Sequence, residues 1–124
     1  MNWLTIPQIK RRSKTAKGAL KVSYHHWCQL YDATAKELRA EYENTGGVFV
    51  DADYCGLCTY KKNSEGLYCE HCIFGDYCPS NNGIYEQAAV RIDKWYRKDK
   101  GSWHAWKRAC KAVRDKLKEL MNKT

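Results

Sequence analysis

The stretch SWHAWKRACKAVRDKLKELM, residues 102–121, decides how the rest of the chain is read. Trp103, Trp106, Cys110, Val113, Leu117 and Leu120 recur at intervals of three, four, three, four and three residues. With about 3.6 residues per helical turn, those positions fall on one stripe, so the spacing predicts an amphipathic helix. It runs over 103–121, with Ser102 placed to cap it by accepting a backbone N–H. Cys110, inside the stripe, reads as a small buried hydrophobe.

Working toward the N-terminus, Ile84, Ala88, Ile92 and Trp95 form a second stripe, flanked by Tyr85, Ala89 and Tyr96. It predicts a helix over 84–98, opened after Asn81-Asn82-Gly83 and closed at Lys100-Gly101. The connection to the last helix is short, so 84–121 is expected to fold as an antiparallel helical hairpin. Earlier still, Leu20, Tyr24, Trp27, Tyr31, Ala35, Leu38 and Tyr42 recur at intervals of three or four. They predict one helix over 20–43, stopped by Asn44-Thr45-Gly46-Gly47. Residues 1–18 read as a basic arm: Thr5-Ile6-Pro7 can open a short turn, and Gly18 breaks the segment before it. Lys10-Arg11-Arg12-Ser13-Lys14 has no apolar face, and Trp3 is expected to be free for a partner. The remainder, 19–124, reads as a single domain.

The chain has 124 residues, 44% of them hydrophobic, which allows one modest core and makes an added staple useful. No apolar run approaches the about 18 residues a membrane span needs, and the N-terminus lacks the order of a signal peptide. The expected compartment is the cytoplasm, where cysteines stay reduced; seven cysteines is an odd count that suits a closed disulfide framework poorly. The net charge of +8 is uneven. Residues 1–21 hold six Lys/Arg and no acid, 91–124 hold twelve against four acids, and 22–90 hold four against ten. Two basic ends point to an anionic partner; the plain alternative is a solvated helix face with a basic arm.

Between the first helix and the hairpin lies a segment, 48–80, too polar and turn-rich to bury its own core. After the β-like Val48-Phe49-Val50 come Cys55-Gly56-Leu57-Cys58 and Cys69-Glu70-His71-Cys72, with Asn63-Ser64-Glu65-Gly66 as a turn midway. A CxxC turn lets both sulfurs face one point, and two such pairs complete the tetrahedral shell that zinc prefers. The expected ligands are Cys55, Cys58, Cys69 and Cys72, in a zinc ribbon or knuckle; a set with Cys78 in place of Cys69 is the rival. His71 shares its turn with Cys72, while His25, His26 and His104 fall on helices and read as surface or packing residues. Cys28 reads as a buried small hydrophobe. Four thiolates leave no open coordination position, so the zinc is expected to be structural, with folding coupled to binding. The fold class is therefore mainly α, a small α+β with three helices and an inserted zinc segment.

No constellation for catalysis is present: there is no phosphate-binding loop, no HExxH, no GxSxG and no deaminase signature. Asp51, Asp53 and Asp76 flank the cysteines singly. A non-enzymatic role is expected.

The order of motifs carries a resemblance. A Trp- and Tyr-bearing helix, then Tyr54-Cys55-Gly56-Leu57-Cys58, Cys69-Glu70-His71-Cys72 and Cys78-Pro79 resemble a group of small cysteine-rich proteins encoded by bacteriophages and prophages. The likeness covers about residues 23–80; where that group has proline after the fourth cysteine, this chain has Ile73. The resemblance implies a zinc-stapled protein that binds a host component, and by analogy with anti-CRISPR proteins an inhibitor of a defence nuclease. Two functions are expected on these grounds. One is a binder of a host protein or ribonucleoprotein. The other is a DNA or RNA binder using Lys10, Arg11, Arg12 and Lys14 with Lys107, Arg108, Lys111, Arg114 and Lys118. The acidic zinc segment (Asp51, Asp53, Glu65, Glu70, Asp76) speaks against base reading through the ribbon. Monomer and homodimer are both open.

Overall fold

In the computed structural model the stripe over 102–121 becomes the helix around which the others gather. The structure describes residues 1–47, 54–55, 83–97 and 102–123. Among them are five helices and no strand: α1 (Ile6–Arg12), α2 (Ala16–Asp32), α3 (Ala35–Thr45), α4 (Ile84–Tyr96) and α5 (Ser102–Asn122). The expected β-like piece at 48–50 and all of the zinc segment except residues 54 and 55 lie outside the described residues.

α5 packs along both α4 and α2, and α1 packs on α2. Trp106, Cys110, Val113 and Leu117 are fully buried, with Trp103 and Leu120 half-buried against the same core. α4 contributes Tyr85, Ala88, Ile92 and Trp95, so Tyr85 rather than Ile84 takes the inward position. The helical pair expected over 84–121 is thus present, with the Trp95 and Trp103 rings 5.3 Å apart where α4 gives way to α5. At the centre Trp27 lies edge-on to Tyr85 at 5.1 Å and tilted to Trp106 at 6.3 Å. Its indole N–H donates to the Tyr85 hydroxyl at 3.4 Å. Buried aromatic pairs of this geometry add about 0.5–1.5 kcal/mol beyond the area they bury.

The single helix expected over 20–43 is two. α2 ends at Asp32, Ala33 is extended (φ −64°, ψ 139°), and Thr34 starts α3 with a capping box. The Thr34 hydroxyl accepts from Glu37 N–H at 3.2 Å, and the Thr34 N–H donates to Glu37 Oε1 at 3.0 Å. Two orphan donors are satisfied reciprocally, which makes a restart at this point favourable. The restart resets the helical phase. Leu38 stays buried and Tyr42 half-buried, but Ala35, part of the continuous stripe, is exposed.

The expected loose arm is also folded. Thr5 and Gln8 form a second capping box, Pro7 occupies the first turn, and α1 buries Ile9 with Leu4 and Val22 in a small second core. The basic run indeed has no apolar face; its neighbours Leu4 and Ile9 supply one. The Gln29 side chain then clamps the leading residues, accepting from Leu4 N–H at 3.1 Å and donating to Asn2 C=O at 2.5 Å. Trp3, between those two residues, is half-buried against the main core rather than free. Gly18 does not break a helix but sits in the first turn of α2, its N–H donating to the Thr15 hydroxyl at 3.0 Å. A Cβ there would lie 2.5 Å from the Arg12 carbonyl oxygen, so glycine permits the close approach of α1 to α2.

α3 is tied to α4 by polar aromatic contacts. Tyr42 stacks on Tyr96 at 3.9 Å and 12°, and its hydroxyl donates to Asp93 Oδ1 at 2.7 Å. Donation to that carboxylate raises the Tyr42 phenol from its ordinary 10.0 to about 12. Arg39 lies over Trp95 and Tyr96 at 5.0 and 5.6 Å.

Candidate partner-binding surface

The predicted cationic residues divide into two groups when their partners are traced. On α5, Lys107 turns inward. Its ammonium donates to the Tyr31 carbonyl and, at 3.1 Å, to the Ala33 carbonyl. It also lies over the Trp103 and Tyr31 rings at 4.8 and 5.2 Å. Lys107 thus closes the carbonyl end of α2, a role for which a cation is suited by the helix dipole. Burial pushes its pKa below the usual lysine value. Arg114 lies 4.3 Å from the Tyr31 ring centre and pairs with Asp115 at 3.2 Å, while Lys111 pairs with Asp115 at 2.9 Å. Those contacts, the Lys111 hydrogen bond first, hold the Asp115 carboxyl below its ordinary range. Lys116 and Lys123 share Glu119 at 3.5 and 3.0 Å. Of the five cations predicted on this helix, then, Lys107, Lys111 and Arg114 are engaged within the chain. Arg108 and Lys118 remain exposed with no ion pair among the described residues.

The N-terminal cations behave differently. Lys10, Arg11, Arg12 and Lys14 are all exposed, and none has an ion pair among the described residues. Docking of α1 places them on the same two-helix unit as Lys17 and Lys21, which are equally exposed and unpaired among the described residues. The reason lies in the sequence: residues 1–21 contain no acid with which to neutralise them. Lys10, Arg11 and Arg12 fill the last turn of α1, where the helix dipole favours positive charge. The result is a set of cations carried on a packed two-helix unit, here called the basic ridge, rather than on a tether. No motif marks Lys17 and Lys21 as site residues, although the acid-free run includes both.

Beside the ridge is a groove of about 710 Å³, lined among the described residues by Arg12, Gly18, Lys21, Val22, Tyr24, His25, Cys28 and Met121. Cys28, expected to be buried, is half-buried here. The Tyr24 hydroxyl one turn earlier bonds the Cys28 side chain, which raises its pKa above the ordinary phenol value. Cys110 is the fully buried thiol expected, its Sγ 3.8 Å from the Trp27 carbonyl, and burial drives its pKa far up. It is inert by that measure.

Of the predicted metal ligands, only Cys55 lies within the described residues. It is 2% exposed and belongs to the main core. Its neighbour Tyr54 stacks on the buried His26 at 5.5 Å and touches both cores. Cys58, Cys69, Cys72 and the alternative Cys78 fall outside the described residues, as does the shell they would form. His25 and His104 are exposed and His26 is buried in packing, in line with their reading as surface or packing residues.

Among the described residues no helix is long and apolar enough to cross a membrane. Comparison with family models, with curated proteins and with solved structures finds no match to this chain in any of the three.

Proposed function

We propose that this chain is a non-enzymatic binding protein that docks an acidic surface of a protein or nucleoprotein through the basic ridge of α1 and α2. The observation that carries the reading is the set Lys10, Arg11, Arg12, Lys14, Lys17 and Lys21, all exposed and without ion pairs among the described residues. Cations held on a folded unit with no internal carboxylate attract an anionic partner, and the folded helices beneath them reduce the backbone ordering cost of binding. A zinc ion on Cys55, Cys58, Cys69 and Cys72, or with Cys78 replacing Cys69, would serve as a staple. The double CxxC spacing supports it, and the burial of Cys55 in the main core would tie such a site to the helices. The likeness of the cysteine order to phage-encoded proteins favours a host component as the partner, inhibited by occlusion.

A second reading, direct binding of DNA or RNA, is favoured by the same ridge with Arg108 and Lys118 as additional phosphate contacts. One experiment separates them. The full chain and a Lys10→Glu/Arg11→Glu/Lys14→Glu/Lys17→Glu variant are used to capture partners from bacterial lysate, with and without nuclease treatment. The expected result is a protein retained after nuclease and lost at least about tenfold with the variant, since exposed charge contacts contribute about 0.2–1 kcal/mol each. Identical capture by both proteins would refute the ridge. Loss of all capture after nuclease, with oligonucleotide binding that falls steeply with salt, would establish the second reading instead.

A further inference from the structure

The groove beside the ridge gives the partner a more specific chemistry, and this inference rests on the binding reading above. Val22, Cys28 and Met121 give the groove its apolar floor and wall, and Gly18 contributes bare backbone. Arg12 and Lys21 stand on its edge, exposed and unpaired among the described residues, with His25 beside them. No acid lines it among the described residues. The groove is thus an apolar trough bordered by cations of one sign.

A phosphate backbone would use the cations and leave the apolar floor uncovered. A purely apolar partner would cover the floor and strand Arg12 and Lys21. A helix with one apolar stripe flanked by carboxylates matches both features at once, laying anchors at i, i+3 or i+4 and i+7 on the floor and its acids on the rim. We propose that the groove receives an acidic amphipathic helix of the partner protein. Specificity then arises from the joint requirement: a strongly acidic segment without the stripe, or an apolar one without the acids, meets only half of the surface.

The test uses the full chain and a fluorescein-labelled peptide of about 16 residues with Leu at those positions and Glu between them. The controls are a scrambled isomer of identical composition, a short DNA duplex and laurate. Fluorescence anisotropy is expected to show saturable peptide binding, at least about tenfold tighter than the scrambled isomer. It is expected to weaken about tenfold in Arg12→Glu/Lys21→Glu and in Cys28→Trp, which fills the floor and leaves every charge in place. Met121→Glu, which puts a carboxylate on the groove wall, replaces Cys28→Trp if circular dichroism shows that variant misfolded. Equal binding of peptide and scramble, absence of peptide binding, or displacement of the peptide by duplex or laurate at lower concentration overturns the proposal. If the groove variants keep the peptide while the Lys10/Arg11/Lys14/Lys17 reversals lose it, the groove assignment fails and the ridge stands.

Discussion

Replacing Gly18 by alanine should destabilise this protein, against the usual expectation for a helix. Within a helix, alanine normally gains about 0.5–1 kcal/mol over glycine through backbone entropy. Gly18 lies in the first turn of α2, so that gain is available. The new Cβ, however, would stand 2.5 Å from the Arg12 carbonyl oxygen and 3.1 Å from the Thr15 hydroxyl oxygen. A relaxed carbon–oxygen contact is about 3.3 Å or longer, so the Arg12 carbonyl must retreat by about 0.8 Å. It cannot retreat alone. The next residue, Ser13, is buried and donates to the Ile9 carbonyl at 2.6 Å, and Ile9 is 0% exposed against Leu4 and Val22. Moving Arg12 therefore pulls α1 out of its seat. Overpacking of this kind costs about 1–3 kcal/mol, which leaves a net loss of roughly 0.5–2 kcal/mol. Thermal unfolding monitored by circular dichroism should show a melting point lowered by about 2–8 °C. Hydrogen exchange should show reduced protection at Ile9 and Ser13, whose amides bond Thr5 and Lys10 carbonyls. A Gly18→Ala variant that melts higher than the native chain would refute the reasoning. It would mean that helix propensity acts unopposed and that α1 does not seat on α2, as the reading of residues 1–18 as a basic arm expects.

Lys107→Met should cost about 1–2 kcal/mol, because the carbonyls of Tyr31 and Ala33 lose their charged donor; a urea midpoint equal to that of the native chain would contradict this. Tyr42 has a folded pKa raised from 10.0 to about 12, so its contribution is intact below the unfolded value and is lost as pH rises through that window. Urea midpoints measured across it should fall for the native chain and fall less for Tyr42→Phe; parallel curves would exclude the Asp93 bond as the cause. Native preparations should contain about one zinc per chain, and chelation should make four further thiols titratable, beyond those reactive in the native chain, and lower the melting point. Less than half a zinc per chain would remove the proposed staple.

Most of the core positions on α4 and α5 are legible in the sequence alone. Trp106, Cys110, Val113 and Leu117, and Ala88, Ile92 and Trp95, were legible because burial along a helix follows its 3.6-residue period, a local property (about 100° per residue). The break at Ala33 was also written there, as Thr34-x-x-Glu37, as was the start of α1, as Thr5-x-x-Gln8. The Thr34 signal competes with a stripe whose Tyr31-to-Ala35 continuation is accidental, since a cap sets the phase of the helix it opens, and the Thr5 signal stands beside a basic run with no apolar face of its own. Which cations are available follows from tertiary packing and not from local sequence. Lys107 and Arg108 are adjacent and chemically alike, yet one closes α2 from 76 residues away and the other faces solvent. The same holds for the Gln29 clamp that joins residues 25 apart, for the seating of α1, and for the groove bounded by Arg12, Val22 and Met121. Ion pairs, clamps and grooves are made between segments distant in sequence. Periodicity records which face of a helix turns inward, but not which other segment meets it there.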